Sequence, residues 1–142
     1  MTRLAGWFQR TSQPQLPRRG SSWGTRSSGL CAATESTCPT TAGAWAPDIQ
    51  TSAPLVALVF DGQAVAICGS VRITPRAHEA GVETAAPFRG RGYARAVVAA
   101  WSAAVRALDV EPLYSTTWQN TASRALARSL GLVSIGRDLH IT

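Results

Sequence analysis

A chain of 142 residues and 15.0 kDa has room for one domain and not two. With 45% hydrophobic and 15% charged residues it is too apolar for a wholly disordered chain, and Arg95 and Arg106 interrupt its best apolar stretch, so no transmembrane helix is expected. The net charge is +6 and every basic residue is Arg, but the arginines are scattered, which weakly attracts polyanions without marking a specific nucleic-acid surface.

Residues 1–50 read as a low-complexity segment rich in Ser, Thr, Gly, Pro and Arg. Trp7, Phe8, Trp23 and Trp45 follow neither a strand nor a helix period. There is no secretory apolar core after the start. The Arg-rich, acid-poor opening fits the composition of an organellar transit peptide, but a disordered tail or an incorrectly assigned start explains it more simply. Cys31, Cys38 and Cys68 are odd in number, Cys31 and Cys38 are spaced too widely for a zinc hook, and His78 and His140 are distant. Reduced cytoplasmic thiols and no metal are therefore expected.

Residues 51–142 form the folded unit. Leu55-Val56-Ala57-Leu58-Val59-Phe60 has the continuous apolar character of a buried strand. Asp61-Gly62 signals a two-residue hairpin. Residues 63–73 alternate, with Val65, Ile67, Val71 and Ile73 on one face. Residues 79–84 read as a third strand, with a bulge or close approach at Gly81. A helix is expected over 90–107, with Tyr93, Val97, Ala100, Trp101, Ala104 and Leu108 inward. Residues 112–118 read as a strand. Asn120 then caps a short helix over 120–130, with Ala122, Leu126 and Leu130 inward and Gly131 as its stop. A last strand over 132–141 would put Val133, Ile135, Leu139 and Ile141 on one face. The order is β-β-β-α-β-α-β.

A strand, then Arg89-Gly90-Arg91-Gly92-Tyr93-Ala94, then a helix is an anion-binding arrangement. Glycines allow close backbone approach, free N–H groups open the helix, and its dipole favours negative charge. The pattern lacks the Lys of a Walker loop and the third glycine of a dinucleotide fingerprint.

The same residues resemble the Arg/Gln-x-x-Gly-x-Gly/Ala signature of the GCN5-related N-acetyltransferases. Val82-Glu83-Thr84 resembles that family's fourth strand, Leu113-Tyr114-Ser115-Thr116-Thr117-Trp118 its fifth, and Asn120-x-x-Ser123 ending at Leu130-Gly131-Leu132 its last helix. The likeness covers about residues 55–142. It implies a mixed α/β acyl-CoA N-acyltransferase fold with an atypical, unpatterned N-terminal third.

It also implies an N-acetyltransferase that uses acetyl-CoA as co-substrate, with direct attack by a small-molecule or peptide amine. The pantetheine arm would pair with backbone groups of Val82, Glu83 and Thr84. The pyrophosphate would rest on residues 89–94, and Asn120 and Ser123 would lie near the pantetheine. Candidate bases on the fourth strand are Glu79 first, Glu83 second and His78 third. Two departures stand out. Many relatives carry a Tyr seven residues after the helix-start Asn, and here that position is Ala127, leaving Tyr114, Ser115, Ser123 or water to protonate the thiolate. The first fifty residues also lack the strand and helices that build the acceptor wall. A non-catalytic acyl-CoA-binding remnant is thus the alternative, a basic nucleic-acid module the third reading, and an uncovered sheet edge would favour a homodimer.

Overall fold

The computed structural model describes residues 2–10, 29–32 and 51–141. A hairpin comes first in the folded unit. Strands β3 (Leu55–Phe60) and β4 (Gln63–Ile73) pair antiparallel, and both Asp61 and Gly62 take positive φ, at 48° and 75°, as the tight turn requires. Strand β5 (Ala77–Thr84) pairs antiparallel with β4. A 3₁₀ turn over Ala86–Phe88 leads through the glycine loop into helix α1 (Tyr93–Arg106). Strand β6 (Glu111–Thr117), helix α2 (Thr121–Ser129) and strand β7 (Leu132–Ile141) complete the order expected from the sequence.

Within the first fifty residues two stretches, 2–10 and 29–32, are described, and both are strands. Thr2–Arg10 forms strand β1 and Gly29–Ala32 forms strand β2. The seven-stranded sheet runs β2-β3-β4-β5-β6-β1-β7. Strand β1 is inserted between β6 and β7 and pairs antiparallel with both, so the last strand of the chain is held by the first. Strand β2 adds antiparallel to β3 at the far edge.

Helix α1 lies on one face of β3–β6, and its buried stripe of Val97, Val98, Trp101 and Val105 meets Val56, Ala66, Cys68, Ala80 and Tyr114. Trp101 is the largest fully buried side chain, and its area is worth at most about 4–6 kcal/mol of apolar burial. Its indole N–H donates to Ser70 Oγ at 3.1 Å, and Ser70 Oγ lies 3.0 Å from His78 Nδ1, so the polar atoms of this core are paired. Cys68 is a small, fully buried member of the same core, and burial pushes its thiol pKa far up. Val65 and Ile67, alternating with Ala66 and Cys68, are buried toward the opposite face.

Several boundaries and faces differ from the sequence reading. The helix starts at Tyr93 rather than residue 90, because Gly90 and Gly92 hold left-handed φ of 75° and 80°. Leu108 lies past the end of α1 and is exposed. In α2 the fully buried residue is Ala127 rather than Ala122. The bulge sits on β4 between Ser70 and Arg72, while Gly81 pairs regularly with Gly69. That extra residue changes the phase of β4, and beyond it Val71 and Ile73 are exposed although Val65 and Ile67 are buried. Val133 and Ile135 are exposed, and Leu132 packs on the core instead.

Candidate active site

The two parallel strands at the centre of the sheet separate along their length. β5 and β6 pair from Ala77 opposite Glu111 to Ala80 opposite Tyr114, and no further. Beyond that point β6 continues beside β1, with Ser115 opposite Trp7 and Thr117 opposite Ala5. The stretch from Gly81 to Thr84 keeps its ladder to β4 but has none to β6. Between the arms lies a cleft of about 310 Å³, lined by Ala80 and Val82 from β5, Tyr114 to Thr117 from β6, and Asn120 and Ser123 from the start of α2.

The paired end of β5 carries a titratable side chain, Glu79. Glu79 is the residue before the last paired position of β5, and its side chain is only 14% exposed. Its Oε1 accepts a short hydrogen bond from the Ser115 hydroxyl, contributed by the first residue of β6 past the divergence. Its Oε2 lies 3.5 Å from Nε of Arg72, the residue directly across the β4–β5 ladder. Two neighbours thus hold the carboxylate, and one of them, Ser115, lines the cleft. His78 faces the other way, into the core beside Ser70. Glu83 lies further along β5 and is exposed.

On the β6 arm, the Tyr114 hydroxyl shares a 2.6 Å hydrogen bond with Ser123 Oγ. Burial pushes the Tyr114 pKa above its ordinary value; the Ser123 hydrogen bond pulls the other way and nearby Cys68 adds a smaller upward push. The phenol is held in its protonated form, which can donate. Asn120 caps α2, its Oδ1 accepting from the Ser123 N–H at 2.9 Å, and the same residue lines the cleft.

The β5 arm ends in the glycine loop. Arg89 Nε donates to the Thr84 carbonyl at 3.1 Å and fastens the loop to the strand. Thr84 Oγ1 is buried without a partner among the described residues. The first helical bond of α1 runs from Ala96 N–H to the Gly92 carbonyl at 3.2 Å, so the N–H groups of Tyr93, Ala94 and Arg95 precede the helical ladder. No heavy atom lies within 4 Å of where a Cβ would stand on Gly90 or Gly92, so the space above the loop is open. Arg91 lies over the Phe88 ring at 5.5 Å, and Phe88 is 6.4 Å from Tyr93. An anion resting here would meet backbone N–H groups, a helix dipole and flanking guanidinium groups together.

The structure brings Val82, Asn120 and Ser123 into the cleft, puts Glu79 at its closed end, and sets residues 89–94 as the loop following its β5 arm. Ala80, Thr116 and Thr117 were not singled out by sequence reasoning, because ordinary residues become lining residues only through the divergence of the strands. The insertion of β1 was also missed. Its alternation is weak, since Ala5, Gly6 and Gln9 interrupt the apolar positions.

Among the described residues, no helix is long and apolar enough to cross a membrane, and no group of three or more His, Cys, Asp or Glu side chains comes together as a metal site.

The model of one protein family, described as GNAT acetyltransferase, matches residues 54–137, more than half of the chain. No curated protein matches it. Solved structures share the fold. A GNAT-family protein from Novosphingobium aromaticivorans superposes with a TM-score of 0.76 at 21% identity, over 98% of this chain and 63% of its own. An acetyltransferase of the GNAT family from Colwellia psychrerythraea gives 0.71 at 15% identity, over 98% and 55%. A GCN5-related N-acetyltransferase-like protein from Streptococcus suis gives 0.66 at 17% identity, over 97% and 61%. The chain thus spans a little over half of the length of these structures.

Proposed function

Since the chain belongs to the GNAT acetyltransferase family, we propose that it moves an acetyl group from acetyl-CoA to a primary amine by direct attack, without an acyl-enzyme. The observation that carries this reading is the cleft between β5 and β6, whose β5 arm runs directly into a helix N-terminus through two left-handed glycines.

The residues fit acetyl-CoA. Beyond the end of the β5–β6 ladder, β5 offers strand-like backbone to the amides of a pantetheine arm, and Val82, Glu83 and Thr84 are the residues we assign to it. The orphaned Thr84 hydroxyl has a donor and acceptor to spare there. Residues Arg89, Gly90, Arg91, Gly92, Tyr93 and Ala94 would hold the pyrophosphate, with Asn120 and Ser123 on the opposite arm. When bound, the co-substrate supplies a thioester whose carbonyl carbon the amine attacks.

Glu79 is the base. Ser115 and Arg72 hold its carboxylate at the closed end of the cleft, where it takes a proton from the incoming ammonium or from a water in between. Glu83, exposed and further along the strand, is the lesser candidate. Backbone N–H groups on the free side of β5 polarise the thioester carbonyl, and the fixed strands orient the reactants. Tyr114, kept protonated by burial and coupled to Ser123, takes the place of the tyrosine that relatives of this type carry where this chain has Ala127. Ala127 is fully buried among core residues. The buried free thiol of Cys68 is compatible with a reducing cytoplasm.

The test is an acetylation screen of primary amines of graded size, peptide N-termini included, followed by release of the free CoA thiol. Amine-dependent thiol release that disappears in Glu79→Gln supports the proposal. Acetyl-CoA binding with no release for any amine would instead favour a binding domain, the reading suggested by Ala127.

A further inference from the structure

A second basic site lies on the other side of β6. Between the end of β6, α2 and β7 is a cavity of about 250 Å³, whose lining includes Trp118, Arg124, Arg128, Ser134 and Arg137. Three separate elements deliver the chemistry. Trp118 follows β6, Arg124 and Arg128 stand one turn apart on α2, and Arg137 comes from β7. The guanidinium of Arg124 lies 4.6 Å from the centroid of the Trp118 ring, and that of Arg137 lies 5.0 Å from it. Contact with the indole fixes these cations while most of their in-plane N–H groups stay available; one of them, Nη1 of Arg124, donates to the Trp118 carbonyl at 3.3 Å.

No ion pair to a carboxylate forms at any of the three arginines among the described residues; the pairs found there join Arg72 to Glu79 and Arg106 to Glu111. The Trp118 Nε1–H is buried and has no partner among the described residues, a further donor without an acceptor. Two like charges one turn apart on α2 repel each other, and Arg137 adds a third positive charge at the same cavity. An anion would remove that repulsion and satisfy the donors together.

None of Arg89 to Ala94 lines this cavity, which meets the cleft only through Thr116 and Thr117. We propose that Arg124, Arg128 and Arg137 around Trp118 form a second anion subsite, distinct from the glycine loop, that takes a phosphate or carboxylate group. That group belongs either to the acceptor or to the 3′-phosphate of the co-substrate. The subsite does not depend on acetyl transfer, since an inorganic anion probes it directly.

The experiment titrates the protein with inorganic phosphate in low-salt buffer, read by calorimetry and by thermal stabilisation, with potassium chloride at matched ionic strength as control. With the glycine loop blocked by Gly92→Asp, the protein is expected still to show saturable binding, and adding Arg128→Ala/Arg137→Ala in that background is expected to weaken it at least tenfold. The single variant Arg137→Ala, at an exposed residue, gives an intermediate loss and guards against misfolding of the double variant, with circular dichroism as the check. CoA and 3′-dephospho-CoA then separate the sources. A loss in the double variant for CoA alone assigns the subsite to the 3′-phosphate, and equal binding of both compounds by both proteins assigns it to an anionic acceptor. Absence of phosphate binding by Gly92→Asp, or binding that survives removal of both arginines in that background, overturns the proposal.

Discussion

The two arms of the cleft do different work by different means. On the proposed reading the β5 arm and its loop act mainly through the backbone: the stretch Gly81–Thr84 beyond the ladder to β6, N–H groups opening α1, and two glycines whose lack of a side chain keeps the approach open. The β6 arm acts through side chains, with Tyr114, Ser115, Asn120 and Ser123 each making a defined hydrogen bond. The difference teaches where the site is vulnerable. The first arm should fail when something is added to it, and the second when an atom is removed.

The largest effect is expected where the arms meet. Glu79→Gln keeps the shape of the side chain but removes the base, so kcat should fall by roughly 10²-fold or more while acetyl-CoA affinity stays within about twofold. Steady-state kinetics with a competent amine separates the two. On the β5 arm, Gly92→Asp adds a carboxylate at φ 80° against the anion loop. It should weaken acetyl-CoA binding by well over about tenfold, whereas Arg76→Ala, in an exposed turn away from the cleft, should leave binding unchanged. If both variants bind like the parent, the loop does not hold the pyrophosphate.

On the β6 arm, Tyr114→Phe removes one oxygen. A loss of about tenfold in kcat with little change in binding is expected if the phenol protonates the leaving thiolate. The same residue gives a pH signature. Its folded pKa is raised, so the folded state holds this proton more tightly than the unfolded chain does. The resulting stability is fully present below the ordinary tyrosine pKa of about 10 and is lost as pH rises above it. Denaturant midpoints measured from pH 8 upward should fall less steeply in Tyr114→Phe; identical slopes would count against the phenol's burial. Cys68 contributes with the same sign from its ordinary thiol pKa upward, in both proteins alike. The smallest effect is reserved for Arg72→Ala. Arg72 is 62% exposed, so its ion pair with Glu79 is screened, and a change in kcat of no more than about fivefold is expected.

Much of this arrangement was legible in the amino-acid sequence because its signals are local. Asp61-Gly62 fixes a hairpin, Asn120 and Gly131 bracket a helix, and the glycines at 90 and 92 announce a loop before a helix. Residues that depend on long-range placement were not legible. The β4 bulge re-aimed Val71 and Ile73, and no pattern within residues 2–10 states that they will lie between β6 and β7. Nor does spacing alone tell that His78 turns to Ser70 and Trp101 while its neighbour Glu79 reaches Ser115. Strand alternation separates the two residues by face, but only the packing of α1 decides which face is the core.

The central claim is that the divergence of β5 and β6 forms an acetyl-CoA site, and calorimetric titration of the purified protein with acetyl-CoA tests it most directly. The account predicts saturable one-to-one binding with a dissociation constant on the order of micromolar, retained for CoA. A protein that circular dichroism shows to be folded and that takes up no heat of binding at millimolar acetyl-CoA would contradict it.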